Sequence, residues 1–213
     1  MSQAVIRPAE RRDLGRVGEI LVESFMDKFH PLFGQKVNRV PALMARLLTR
    51  EMDEGKIIVF VADAKGDVVG TVGVKSGGGL GIAWADVRDF LTILGPWYCL
   101  RASLGMALFF REPLQRVGLA YIDNLAVDPT FRRRGLGWRL LERAELWAQI
   151  EGLRELSLDV SANNPARRLY RRFGFQERGV ARSRLTEMVF GIRAWIHMVK
   201  PLRVQRLPVE VSP

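Results

Sequence analysis

The sequence predicts one α/β domain in which helices flank a mixed β-sheet, and three observations carry that reading. Two β-branched runs, residues 57–62 and 68–74, are joined by Asp63-Ala-Lys-Gly-Asp67, a hairpin signal that makes the two strands antiparallel neighbours. Residues 120–160 read as strand, helix, strand, a crossover that places its two strands parallel and right-handed. The chain has 213 residues, which suits one domain with a full hydrophobic core. Its 48% hydrophobic and 26% charged residues exclude a disordered chain.

The elements follow in order. Val5-Ile6-Arg7 reads as a short first strand. Asp13 is placed to cap a helix whose apolar face is Leu14, Val17, Ile20, Leu21 and Phe25. A loop is expected from Lys28 to Lys36, within a longer connection of about 26–40. Pro41 sits where a first helical residue belongs, ahead of Leu43, Leu47 and Leu48 at helical spacing. After the hairpin, Gly77-Gly-Gly-Leu-Gly81 breaks the pattern. Phe90 to Phe110 is apolar apart from Thr92, Arg101 and Ser103, and as one helix it would run about 31 Å, close to a membrane span. Gly95-Pro96 breaks such a helix and Arg101 would lie mid-span, so a membrane segment is not expected. Two shorter amphipathic helices, packed on the body or on a second subunit, are expected instead. From residue 120 the signal sharpens. Ala120–Val127 is strand-like, and Arg139–Ile150 is helical with Leu140, Leu141, Ala144, Trp147 and Ala148 as its apolar stripe. Glu155–Val160 alternates as a strand, and Asn164-Pro165 opens a helix that reaches Phe173 and ends at Gly174. Two further strands are expected, the last from Trp195 to Val199, with a loosely ordered tail at 203–213.

Charge and cysteine usage bound the function. The chain carries 33 basic and 23 acidic residues, a formal charge of +10. Six of the basic residues are lysines and the rest arginines, whose planar fork suits phosphate and carboxylate partners. GC-rich coding inflates arginine equally, and no nucleic-acid module accompanies these arginines, so no specific nucleic acid is expected. Cys99 is the sole cysteine, and with only His30 and His197 beside it a bound metal is not expected. The N-terminal residues carry no apolar signal segment, so a cytoplasmic location is expected.

The chemistry-bearing motif is Asp128-Pro-Thr-Phe-Arg-Arg-Arg-Gly-Leu-Gly137, between the strand ending at Val127 and the next helix. Two glycines let the backbone turn tightly, and a helix N-terminus aims unpaired N–H groups at the same spot. With three arginines ahead of it, the composite is an anion cradle suited to a pyrophosphate. An ATP-binding P-loop needs Gly-Lys-Ser/Thr, but Trp138-Arg139 follows Gly137. A dinucleotide fingerprint needs a third glycine where Leu140 stands, although Asp159 ends the next strand as a ribose-binding acid would.

Arg132-Arg133-Arg134-Gly135-Leu136-Gly137 resembles the acetyl-CoA signature of the GNAT superfamily of N-acetyltransferases, Arg/Gln-x-x-Gly-x-Gly/Ala after a strand. Asn163-Asn-Pro-Ala166-Arg-Arg-Leu169-Tyr170-Arg-Arg-Phe-Gly174-Phe175 is similar to the superfamily's second signature, in the same order and spacing. The resemblance covers about residues 120–176. It implies a mostly antiparallel central sheet in one domain over residues 1–202, with 76–118 as an apolar helical insert between the third and fourth strands. It implies acetyl-CoA as co-substrate. The pantetheine arm would lie on main-chain groups of Leu125, Ala126 and Val127. The diphosphate would lie on the amides of Arg132, Arg133, Arg134, Gly135, Leu136 and Gly137, with Asn163 helping to bind the arm.

The reaction implied is direct acetyl transfer to a primary amine of a small molecule or a protein N-terminus. A non-catalytic acyl-CoA-binding module on the same fold is the alternative. Tyr170 matches the tyrosine that protonates the departing thiolate, although Ala166, Leu169, Tyr170 and Phe173 share a helix face and the ring also suits a core. For the amine's base, Asp123 and Glu23 are candidates beside a water chain, while Asp159 reads as a strand-end hydrogen-bonding residue. Acceptor selection would fall to the loops at about 26–40 and 178–194, and the apolar insert offers a homodimer contact.

Overall fold

The computed structural model describes residues 4–76, 84–100, 118–182, 187 and 192–202. Among them lie seven strands: β1 (Val5–Pro8), β2 (Ile57–Ala64), β3 (Asp67–Ser76), β4 (Leu119–Val127), β5 (Glu155–Ser161), β6 (Gln176–Arg182) and β7 (Ala194–Pro201). They form one sheet in the order β1-β2-β3-β4-β5-β7-β6. The helices are α1 (Leu14–Ser24), α2 (Met26–Phe33), α3 (Val40–Asp53), α4 (Trp84–Leu94), α5 (Leu136–Ile150) and α6 (Arg167–Phe173). The mixed, mostly antiparallel sheet matches the expectation: β4 and β5 are its parallel pair, and the other neighbours run antiparallel.

Helices cover both faces of the sheet's middle, which is why β2 and β3 read as near-continuous apolar runs rather than alternating ones. On one face α5 and α6 close a core of Phe60, Val72, Val74, Ile122, Leu140, Leu141, Leu156, Leu158 and Met198. On the other, Leu14, Val17, Ile20 and Leu21 of α1 and Leu48 of α3 pack on Val59, Val61 and Ala126. Gly18 sets the crossing of α1 and α3. A Cβ there would lie 2.4 Å from the Pro41 carbonyl oxygen. A third cluster, Val22, Phe33, Val40, Leu43, Phe90, Leu94 and Cys99, joins α1, α2, α3, α4 and the helical segment 96–100 outside the sheet. Arg50 of α3 ties α4 down by pairing with both Asp86 and Asp89.

Local details depart from the expected ones. The expected loop after the first helix is α2 followed by a 3₁₀ segment, Gly34–Arg39. Pro31 lies inside α2, yet burying Phe33 and packing Phe29 and Leu32 on the third cluster outweighs the donor the proline lacks. Asp13 precedes α1 but makes no side-chain cap to it. Its carboxylate accepts the Glu10 amide at 2.7 Å and pairs with Arg7 at 2.6 Å, locking β1 to the turn that follows. In the apolar insert, α4 is followed by Gly95 (φ +90°) and helix at 96–100, which agrees with the expected break. Residues 101–117 and the tail at 203–213 lie outside the described residues. No helix among the described residues is long and apolar enough to cross a membrane.

Candidate active site

The parallel seam is short. β4 and β5 pair only at Leu119↔Glu155, Ala120↔Leu156 and Tyr121↔Ser157, and then part. A register shift against β3 bulges β4 at Asp123, next to the point of parting. Asn124 and Ile57 crowd the bulge at Gly73: a Cβ there would stand 2.6 Å from Asn124 Nδ2 and 2.9 Å from Ile57 Cδ1, so those side chains would have to shift. Beyond the seam the last residues of β4 and β5 line a cleft of about 620 Å³.

The far wall of that cleft is the turn between β4 and α5. Asp128 anchors it, accepting from the Thr130 amide at 2.9 Å and hydroxyl at 2.6 Å and pairing with Arg16 at 2.5 Å. These partners, the Thr130 hydroxyl foremost, hold the Asp128 carboxyl below its ordinary range. Arg133 and Gly135 take left-handed conformations, at φ +60° and +78°. Gly135 is the N-cap of α5 and no side chain among the described residues caps that helix, whose first turn lines the cleft. Left-handed residues feeding a helix N-terminus give this turn the backbone geometry of an anion nest. Arg132 stays close to the strand, donating to the Val127 carbonyl at 2.9 Å and the Ser24 hydroxyl at 3.2 Å.

Leu125, Ala126, Val127, Arg132, Arg133, Gly135, Leu136, Gly137, Asn163 and Tyr170 all line this cleft. Arg134 does not: it folds back to the Thr130 carbonyl at 2.9 Å and lies over the Phe131 ring. Tyr170 projects from α6, ring-packed edge-on to Phe175 with centroids 5.9 Å apart. Its hydroxyl has no hydrogen bond among the described residues, and burial alone pushes the phenol well above its ordinary value. The ring is therefore both core and cleft.

Asp123 is not brought to the cleft. It pairs with Lys75 at 3.0 Å, and Lys75 also holds Glu51 of α3 at 2.8 Å. Glu23 lies exposed on α1 and does not line the cleft either. A second cluster is assembled where β4 and β5 part. Tyr121 Oη donates to Asp159 Oδ2 at 3.3 Å, and His197 Nδ1 lies 3.1 Å from Asp159 Oδ1. Asp159 and His197 are register partners across β5 and β7. Burial, followed by the Asp159 charge, pushes the Tyr121 phenol well above its usual value. Tyr121 and Asp159 alternate out of phase with Ile122, Leu158 and Val160, which face α5. The alternation is visible in the sequence. The strand order that adds His197 is not.

A sequence model of the Acetyltransferase (GNAT) family matches residues 19–175. The chain belongs to the GNAT acetyltransferase family. It is 30% identical over 194 residues to the chloroplastic GCN5-related N-acetyltransferase 4 of Arabidopsis thaliana, an alignment covering 82% of this chain and 61% of that protein. Over 65 residues it is 43% identical to the [ribosomal protein bS18]-alanine N-acetyltransferase of Salmonella typhimurium, 30% of this chain and 44% of that one. The chain thus spans less than two thirds of the length of either relative. Among solved structures, the ribosomal-protein-alanine N-acetyltransferase of Brucella melitensis superposes with a TM-score of 0.60 at 20% identity, covering 93% of this chain and 99% of that one. The PaiA N-acetyltransferase of Thermoplasma acidophilum, solved with coenzyme A, gives 0.59 at 17% identity, covering 94% and 99%. These two likenesses show the GNAT fold. Among the described residues no group of three His, Cys, Asp or Glu side chains is placed to hold a metal ion.

Proposed function

We propose that this GNAT chain binds acetyl-CoA in the β4–β5 cleft and transfers its acetyl group directly to a primary amine. The observation that carries the reading is the meeting, in one cleft, of parted strand backbone, an uncapped helix N-terminus with left-handed Arg133 and Gly135 before it, and the Tyr170 ring. Uncapped amides of α5 suit a diphosphate. Main-chain groups of β4 no longer paired to β5 suit the amides of a pantetheine arm. The thermodynamic test is melting with acetyl-CoA, NAD and ATP in parallel. At about 100 times the dissociation constant, binding adds roughly 2.7 kcal/mol, which for a domain of this size raises the melting temperature by about 5–10 °C. A shift with acetyl-CoA supports the reading, and a shift with NAD alone overturns it.

In the transfer step the residues divide the work. Tyr170 keeps its proton throughout the working pH range and donates it as the thiolate departs. The amine must lose a proton, and two acidic residues compete for that part. Asp123 is engaged by Lys75. Asp159 is about one third exposed and is held between Tyr121 and His197 at the parting strands. Neither carboxylate lines the cleft; this reading gives the part to Asp159, at the parting strands and oriented by His197 and Tyr121, with a water carrying the proton across.

The acceptor class in this reading remains a small molecule or a protein N-terminus. The Salmonella relative acts, by its name, on the alanine of ribosomal protein bS18, and that supports screening N-terminal peptides first. Cytoplasmic residence belongs to the same reading. So does a homodimer contact through the insert, where Leu91, Trp97 and Leu100 are exposed. Light scattering after size exclusion checks the dimer, and a monomer at all concentrations removes it.

A further inference from the structure

Three lysines away from the cleft are held by polar partners, whereas Lys28 lines the cleft itself. Lys36 donates to the Leu94 carbonyl at 2.6 Å, Lys75 pairs with Glu51 and Asp123, and Lys200 pairs with Glu145 at 2.7 Å. The side chain of Lys28, in the first turn of α2, has no ion pair or hydrogen bond among the described residues. Its Nζ lies over two ring faces, 4.4 Å from the Phe25 centroid and 5.5 Å from that of Trp195. It is half-buried and lines the cleft that also holds Leu125, Ala126, Val127 and Tyr170. Trp195 is the register partner of Ser161, the last residue of β5 and itself part of the cleft wall. The Lys28 amine therefore stands at the open end of the gap between β4 and β5.

We propose that Lys28 is a self-acetylation site: with acetyl-CoA in the cleft and no outside acceptor, its Nζ takes the acetyl group. The inference rests on the reading of the cleft as an acetyl-CoA site. The chemistry is that of the enzyme's own reaction, with the acceptor supplied by the chain. The Nζ lone pair forms a C–N bond to the thioester carbonyl carbon and the C–S bond breaks. The nitrogen's extra proton leaves to solvent, and the departing sulfur takes one from Tyr170 or water. The products are an amide on Lys28 and free CoA, with no oxidant or further reactant required.

Two features of the site favour attack. Burial holds the Lys28 ammonium below the usual lysine range, which raises the fraction of neutral amine; the charge of nearby Asp27 opposes this without touching it. Among the described residues no carboxylate pairs with the side chain, so reaching the thioester breaks no ion pair with them. The ring faces stabilise the cation without neutralising it. Loss of its proton is therefore the step that releases the nucleophile.

The test uses the intact chain incubated with acetyl-CoA alone, with acetylated lysines located over time by peptide mass spectrometry. Exposed Lys56 and Lys65 report the background reaction of surface amines with the thioester. Held beside the donor, Lys28 is expected to be acetylated about tenfold or more faster than either, at a rate independent of protein concentration and suppressed by excess CoA. Lys28→Arg is expected to lose this fast site and leave the slow ones. If acetyl-CoA raises the melting temperature but Lys28 reacts no faster than Lys65, the proposal is overturned and the donor site stands. A rate that scales with protein concentration also overturns it, because the transfer is then between molecules. If acetyl-CoA gives no melting shift, the donor reading and this proposal fall together.

Discussion

Tyr170 belongs to the main core and to the cleft wall at once. Its ring is packed against Phe175 within the main core, while its hydroxyl finds no hydrogen-bond partner among the described residues. Removing that oxygen costs packing almost nothing, so Tyr170→Phe should melt like the parent protein and keep its acetyl-CoA shift. Turnover should fall about 10²–10⁴-fold, the range for a lost general acid. Unchanged turnover returns Tyr170 to the core alone. Asp159→Asn and Asp123→Asn form a matched pair. The first should lower turnover by at least about tenfold. The second should chiefly lower stability by leaving Lys75 with Glu51 as its one acidic partner. The reverse result moves the base to Asp123. Asp13 belongs to stability. Arg7, first through its hydrogen bonds, holds the Asp13 carboxyl below its unfolded value. A lowered carboxyl pKa contributes stability that is present above about pH 4 and is lost as pH falls through the folded value. Asp13→Asn should therefore cost about 2 kcal/mol at neutral pH, and the difference from the parent should shrink on acidification. Denaturation series at several pH values check this. At this scale the cleft residues were legible because adjacent motif positions fold as one turn. Asp159 was legible as a hydrogen-bonding residue of its strand, but its grouping with Tyr121 and His197 was not, because the three come together only through a strand order that local pattern does not encode.

Helices and turns carry the next set of consequences. Gly18 lets α1 approach α3 until a Cβ would meet a backbone oxygen, which has no rotamer to yield. Gly18→Ala should destabilise by about 1–3 kcal/mol, read as a lowered melting temperature. Unchanged melting would mean that the crossing has slack. Gly135 presents the opposite case. A Cβ there meets nothing within 4 Å, but the left-handed φ costs a non-glycine residue about 1–2 kcal/mol. Gly135→Glu should fold, with its carboxylate at the uncapped end of α5, and should lose the acetyl-CoA melting shift. A retained shift would remove this turn from the donor site. The strongly periodic helices and the hairpin were readable in advance because each one's apolar spacing matches its own geometry. Helix α2 was not, because Pro31 and Gly34 argue for a loop, and its stability comes from Phe33 in a cluster shared with α1, α3 and α4.

Across the whole molecule, the sheet is two sub-sheets joined at β4 and β5 by three residue pairs, with α5 lying across β2, β3, β4 and β5. Main-chain groups of residues 122–127 that point toward β5 have no strand partner there. Hydrogen exchange should find those amides fast in the free protein and slowed by acetyl-CoA, while β2–β3 amides stay unchanged. Equal protection everywhere would mean that the arm does not lie along β4. The seam also has a mechanical meaning. Pulled from the two ends of the sheet in a single-molecule experiment, the free chain should tear first between β4 and β5, like cloth along a short row of stitches. A donor arm bridging both strands should raise the rupture force there, so the substrate that the protein consumes would also be the thread that holds its halves together.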